Sequence, residues 1–334
     1  MLRSFVTAFV ALAALAAAPA RSETARIGYI PVMGTSQIFV ADKEGLLKAA
    51  GIEPKFLTFE SGPAMIQALA SGTLDIYVAG VAPLAVARSK GVDVKVVAAT
   101  AIDEMTVVAG AKLAPLFKPG VAPAQALKDF KAQTGKAARL ATQPPGSVPH
   151  TTLVHWLEQV IKADKADFEI ITMGIDATQQ AVLAGAVEGA TLREPAVTVS
   201  LLRDPRLKIV ATGSEMFPNQ PGTVVAVAGA WAAKNQEAVQ KLVAGIVEAT
   251  RIIQKEPARA AGPIEAALGK GIVDRATIEK AIASPASKFA SDPRAIIDSF
   301  AAMQAYQVKI GSLDKEYPLD GLFDASYYLK ATGK

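Results

Sequence analysis

The sequence predicts an α/β protein of two lobes with a ligand cleft between them, on three observations. Short β-rich runs alternate with Ala-rich helical runs, the pattern of open, largely parallel sheets covered by helices. A stretch of some 57 residues recurs in outline further along the chain. The length of 334 residues and apolar content of 51% suit two cores of ordinary size, each serving on the order of 100 to 150 residues.

Residues 1–22 read as an export signal: Arg3, a 14-residue apolar stretch from Phe5 to Ala18, and Ala18-Pro19-Ala20 in the A-x-A cleavage pattern. Such a stretch is shorter than the roughly 18 to 20 residues a membrane span needs. Cleavage is expected after Ala20 or Ser22, leaving a mature chain in the periplasm. The chain has no cysteine, which excludes thiol catalysis, disulfides, Cys-based metal sites and a lipid-bearing cysteine, so no lipid anchor is expected. The formal charge of +4 falls by one with Arg3 and by another with Arg21, and charges of both signs are interspersed. Nucleic acid is not an expected partner.

In chain order, strands are expected near 25–30, 53–59, 74–78 and 94–98, with helices near 36–50, 63–70 and 83–90. After Trp231 the strands are expected to stop, and helices follow near 236–255, 275–283 and 293–308, separated by Gly and Pro. The repeat relates 26–83 to 139–195 at an offset of 113 residues. Ala25-Arg26-Ile27 is echoed by Ala138-Arg139-Leu140, Ala64 by Ala177, Ala68 by Ala181, Gly72 by Gly185 and Asp75 by Glu188, while Pro83 and Pro195 agree within one position. Two similar α/β units bind a ligand between the carboxyl edges of their sheets. The expected lobes are 23–104 for the first part of lobe 1, 105–228 for lobe 2 and 229–334 for a helical return to lobe 1. The chain then crosses between lobes twice, near 101–104 and 217–222, and a double crossing is a hinge.

The strand-to-helix loops are the candidate chemistry. In the first unit they hold Gly34, Thr35, Ser36 and Gln37, then Ser61 and Gly62 before Pro63, then Gly80, Val81 and Ala82 before Pro83. Ser61 reads as an N-cap with proline in the first turn. Gly62 and Gly80 permit close backbone approach, and the helix starts offer N–H groups to an anion. The second unit supplies Gly146, Ser147, His150 and Thr151, then Gly174 to Asp176, then Arg193 and Glu194 before Pro195. Arg193 offers a planar fork for a sulfonate, carboxylate or nitrate, and Glu194 is expected to receive a ligand ammonium or to orient the arginine. Asn219 and Gln220, beside the second crossing, are weaker candidates. His155 lies five residues after His150, roughly 140° around a helix, so the two histidines do not share one metal. No metal or cofactor is expected. No dinucleotide fingerprint, phosphate loop, H-E-x-x-H or Ser/His/Asp arrangement is present.

Five stretches in order resemble one family. They are GYIPVMGTSQIFVADKEGLLKAAGIE, FESGPAMIQALASGTLDIYVAGVAPLAVARSKGVDVKVVA, PPGSVPHTTLVHWLEQ, GAVEGATLREPAV and LFDASYYL. Together they are similar to the periplasmic binding proteins for nitrate, taurine, aliphatic sulfonates and pyrimidine precursors. The resemblance implies a class II periplasmic-binding-protein fold, ligand capture between the lobes, and delivery to the membrane permease and ATPase of an ABC importer; a monomer is expected. It places ligand contacts on 34–37, Ser61, Gly62, 80–82, 147–151 and Glu194. The residue before the Glu-Pro pair is often aromatic in that family, and Arg193 in its place favours an acidic ligand. A rival is a binding protein that reports to a membrane sensor. Another is an enzyme like the eukaryotic pyrimidine-precursor synthases, whose cysteine-rich motif this chain lacks.

Overall fold

The computed structural model describes residues 23–269 and 271–334; the export signal read in 1–22 lies outside them. The first sheet contains β1 (Glu23–Tyr29), β2 (Ile52–Thr58), β3 (Ile76–Gly80), β4 (Val94–Ala99) and, from much later in the chain, β11 (Thr223–Ala228), in the order β2-β1-β3-β11-β4. The second contains β6 (Thr106–Ala109), β7 (Ala138–Thr142), β8 (Phe168–Thr172), β9 (Gly189–Leu192) and β10 (Lys208–Thr212), in the order β10-β6-β9-β7-β8. A two-residue ribbon pairs β5 (Ala101–Ile102) with β12 (Lys288–Phe289).

The sheets are two copies of one plan. Ile27 stands opposite Ile76 in the first, and Leu140 opposite Gly189 in the second, each pair displaced by the offset of the repeat. The same offset reproduces an ion pair. Arg26 donates through Nε and Nη2 to Asp75 at 2.7 and 2.6 Å, and Arg139 does the same to Glu188 at 3.1 and 3.0 Å. In both units the backbone N–H of the arginine also donates to the carboxylate, at 2.8 Å.

Three expectations need correction. The sheets are not largely parallel throughout: β11 runs antiparallel to β3 and β4, and β6 antiparallel to β9 and β10. Each of these strands enters its sheet from the opposite lobe and therefore runs the other way. The range 105–228 given to the second lobe runs too far, because β11 lies inside the first sheet. Its sequence, TVVAVA, is apolar on both faces, as a central strand requires. Strands also do not stop at Trp231, since β12 follows.

Helices α1 (Ser36–Lys43), α2 (Leu46–Ala49), α3 (Gly62–Ala70) and α4 (Pro83–Ser89) serve the first unit, and α5 (Pro123–Thr134), α6 (Val148–His155), α7 (Ile175–Leu183), α8 (Ala196–Arg203) and α9 (Gly213–Met216) the second. The return comprises α10 (Gly229–Lys234), α11 (Gln236–Lys255), α12 (Pro257–Leu268), α13 (Arg275–Ile282), α14 (Ile297–Lys309) and α15 (Ser326–Thr332). The helix expected over 36–50 is split at Gly45, whose φ of 74° is a left-handed turn suited to glycine. One face of the first sheet packs Ile27, Val78 and Val225 against Ile38, Leu242 and Ile246. Tyr77, Val96 and Val224 on the other face join a cluster that runs on through Met65, Leu84, Met105, Val148, Leu153 and Phe300. That apolar cluster spans both lobes, so they are packed together along the cleft.

The crossings lie side by side. Asp103 N–H donates to Gln220 O at 2.9 Å, the Gln220 side-chain oxygen accepts from Met105 N–H at 3.1 Å, and Thr100 N–H donates to Thr223 O at 2.8 Å. Gln220 is fully buried and ties one crossing to the other. At Gly222 an added Cβ would strike the carbonyl of Ala101, so a side chain there would force the crossings apart. Among the described residues no helix is long and apolar enough to cross a membrane.

Candidate functional site

The predicted loops leave the carboxyl ends of β1, β2 and β3 in the first sheet and of β7, β8 and β9 in the second, where parallel strands of both sheets end at the interface between lobes. Small residues let these ends meet. A Cβ on Gly34 would lie 2.5 Å from Glu104 Oε2 and 2.7 Å from Thr223 Oγ1; one on Gly62 would lie 2.9 Å from the Tyr77 hydroxyl; one on Gly80 would lie 2.9 Å from Val148 Cγ2, across the cleft. The Tyr77 hydroxyl donates to Gly80 O at 2.7 Å. Backbone bonds also join the lobes: Met33 N–H to Glu194 O at 2.7 Å and Ile175 N–H to Glu60 O at 3.2 Å. Ser61 and Ser147 cap their helices, accepting from Ala64 N–H at 3.4 Å and His150 N–H at 3.3 Å, each with proline in the first turn.

At the centre is a buried ion pair. Arg193 is 3% exposed and Glu104 is 3% exposed, and Arg193 Nη1 donates to Glu104 Oε1 at 3.4 Å. The same oxygen accepts from Thr223 Oγ1 at 2.6 Å. Arg193 Nη2 is buried and has no hydrogen-bond partner among the described residues. A guanidinium stays charged at any working pH, and an unfilled donor on it is costly away from water. The positive charge also acts on Tyr77, whose hydroxyl is nevertheless pushed well above the ordinary tyrosine range by complete burial.

The arginine therefore does not present a wholly free fork, and the residue that orients it is Glu104, not Glu194. Glu194 turns its carboxylate back onto α8, accepting from Thr198 N–H and Thr198 Oγ1, both at 3.0 Å. Burial raises its pKa above the usual carboxylate range, with hydrogen bonds from Ser284 and Thr198 opposing. Glu104 escaped notice because nothing in its local sequence marks burial; it lies in a segment read only as a crossing.

The remaining predicted residues divide. Thr35 donates to Ile30 O and Val32 O at 3.2 and 2.7 Å, Ser36 to Met33 Sδ at 3.1 Å, and Thr151 to Ser147 O at 2.9 Å, so their hydroxyl protons are engaged locally. Gln37 reaches away to Thr100 O at 2.7 Å. Val81 N–H donates to Gly222 O at 2.9 Å, at the second crossing, and Val81 and Ala82 are fully buried. His150 Nδ1 is buried without a partner among the described residues, and desolvation holds its pKa below the ordinary histidine range, so it is neutral near pH 7. Gln143, at the end of β7, was not anticipated; its Oε1 is likewise buried and unpartnered. The polar residue ending an apolar strand before Pro144-Pro145 was the available signal. A cavity of about 160 Å³, lined by Pro31, Ile175, Gln179, Pro195, Val199 and Leu268 among others, opens beside the Glu194-Pro195 turn.

Residues 18–266 match the model of the NMT1-like family. Over 236 residues the chain is 23% identical to the nitrate import ATP-binding protein NrtC of Synechococcus elongatus, covering 70% of this chain and 36% of that one. The chain thus spans about a third of that curated relative. Among solved structures it is similar to the periplasmic nitrate-binding protein NrtA from Synechocystis, with TM-score 0.78, 15% identity and coverage of 93% and 88%. It is also similar to the alkanesulfonate-binding protein SsuA from Xanthomonas axonopodis pv. citri bound to MOPS, with TM-score 0.72, 20% identity and coverage of 93% and 100%. At these identities the structural likeness speaks for the fold. The family match takes in both halves of the internal repeat and most of the chain: the protein belongs to the NMT1-like family and has the two-lobed periplasmic-binding-protein fold.

Proposed function

We propose that the protein is the solute-binding component of an ABC importer, capturing between its lobes a small solute with an anionic group such as a sulfonate, nitrate or carboxylate. The observation that carries this reading is Arg193 Nη2, a charged donor buried at the meeting of both sheet edges with no hydrogen-bond partner among the described residues. A ligand oxygen there completes the guanidinium, and burial strengthens the bond. Closure follows from the solute's greater affinity for the packed arrangement than for a separated one.

On this reading the partners are a membrane permease and its ATPase, the compartment is the periplasm, and the working unit is a monomer without catalytic activity. The names of the similar proteins and the export signal read in 1–22 support it. The lobes we assign are 23–104 with 223–334, and 105–222 between the crossings.

A thermal-shift panel of small sulfonates, carboxylates and nitrate tests the reading, because a cleft ligand at a hundred times its Kd stabilises by about 2.7 kcal/mol. At least one anion-bearing member raises Tm in the native protein, and Arg193→Ala abolishes that rise. A shift retained in Arg193→Ala contradicts it.

A further inference from the structure

Arg193 cannot shed its proton, and burial of a lone cation is costly, so a counter-ion must accompany it. That counter-ion belongs to the chain itself. Glu104 Oε1 lies 3.4 Å from Nη1 and is held by Thr223 Oγ1 at 2.6 Å. Gly34 stands so near that even a methyl group there would meet Glu104 Oε2 and Thr223; the carboxylate has a fixed seat. Two oxygens of opposite origin therefore share one guanidinium when a ligand arrives, Glu104 on Nη1 and the ligand on Nη2. If both are anions, they are like charges held close together on buried groups, and such pairs disfavour one another. The other polar residues named at this meeting of the lobes supply no balancing cation: desolvation holds His150 neutral, and Tyr77 and Glu194 carry no positive charge.

We infer that Glu104 is a specificity-determining residue of the cleft, one that neutralises Arg193 in advance and so selects ligands whose anionic group is balanced by a cationic group of their own over the matched simple anions. The inference rests on the cleft being the solute site. Calorimetry with two matched pairs tests it on the full mature chain: 2-aminoethanesulfonate against ethanesulfonate, and β-alanine against propionate. In the native protein the amino member of at least one pair binds ten or more times tighter than its partner. Glu104→Gln keeps the shape and the Thr223 contact but removes the charge, and the simple anion then gains at least tenfold, closing or reversing the gap. A native protein that favours the simple anion, or a gap that Glu104→Gln leaves unchanged, overturns the inference while leaving the cleft as the binding site. Absence of binding by all four probes to both proteins, or binding undiminished by Arg193→Ala, overturns the reading of the cleft and this inference with it. Should Glu104→Gln fail to fold, judged by near-ultraviolet circular dichroism, Glu104→Ala replaces it with Arg193 kept; the same narrowing of the gap is expected, and an unchanged preference for the amino member contradicts the proposal.

Discussion

Arg193 and Glu104 are 89 residues apart in the chain and meet only because one leaves β9 and the other precedes β6, neighbours in the second sheet. Arg193 was legible as a candidate, because a charged residue between an apolar strand and a proline at the helix start stands at a sheet edge. Its partner was not, because pairing across that distance depends on strand order, which no local pattern encodes. His150 offers a prediction at this scale. Its folded form binds a proton less readily than the unfolded form, so the unfolded state takes up more protons as pH drops below about 6.5. The stability contributed by the neutral imidazole is present above that value and lost as pH falls through the window. Urea midpoints at pH 7.5 and 5.5 should fall further for the native protein than for His150→Gln. The oppositely displaced Glu194 is common to both proteins and drops out of the difference; equal falls contradict the account.

Among elements, the helices were the most legible. The stretch read as helical over 236–255 is α11 itself, because its apolar residues recur at helical spacing. The central strands were read least well: β6 and β11 carry the composition of any buried strand, and their antiparallel direction comes from the crossings that feed them. Conserved spacing within the repeat did predict where the loops gather, as Gly80 illustrates. Its missing side chain admits Val148 of the facing lobe. Gly80→Val should hold the lobes apart without unfolding either, since besides the shared cluster each sheet keeps an apolar cluster supplied by its own lobe. Small-angle scattering is expected to give a larger radius of gyration for the variant at an unchanged circular-dichroism spectrum; identical radii would mean that this contact does not limit closure.

Across the whole molecule, the helical return does more than cover the first sheet. From α14, Gln307 Nε2 donates to Gly146 O at 3.3 Å, Tyr306 donates to Glu158 Oε2 at 3.3 Å, and Lys309 Nζ donates to Gln159 Oε1 at 2.9 Å. The Tyr306 ring stands edge-on to His155 with centroids 4.9 Å apart. These contacts bridge the lobes on the side of α6, and an aromatic pair of this kind contributes about 0.5–1.5 kcal/mol. Tyr306→Ala should therefore weaken solute affinity by roughly two- to tenfold through the closing equilibrium, read by calorimetry, although Tyr306 is not among the cleft residues. Unchanged affinity would remove α14 from the closing device.

Closure around a solute is the central claim, and the absence of cysteine makes it directly measurable. Ala64 and Ala177, equivalent positions of the repeat, are both exposed at the starts of α3 and α7, beside the inter-lobe bond from Ile175 N–H to Glu60 O. Spin labels on cysteines placed at these two positions report the gap by pulsed electron resonance. Without solute the account predicts a broad distribution extending to long distances, and with a saturating solute from the thermal-shift panel a narrow distribution at the short distance of the packed lobes. A distribution unchanged at saturation would contradict it.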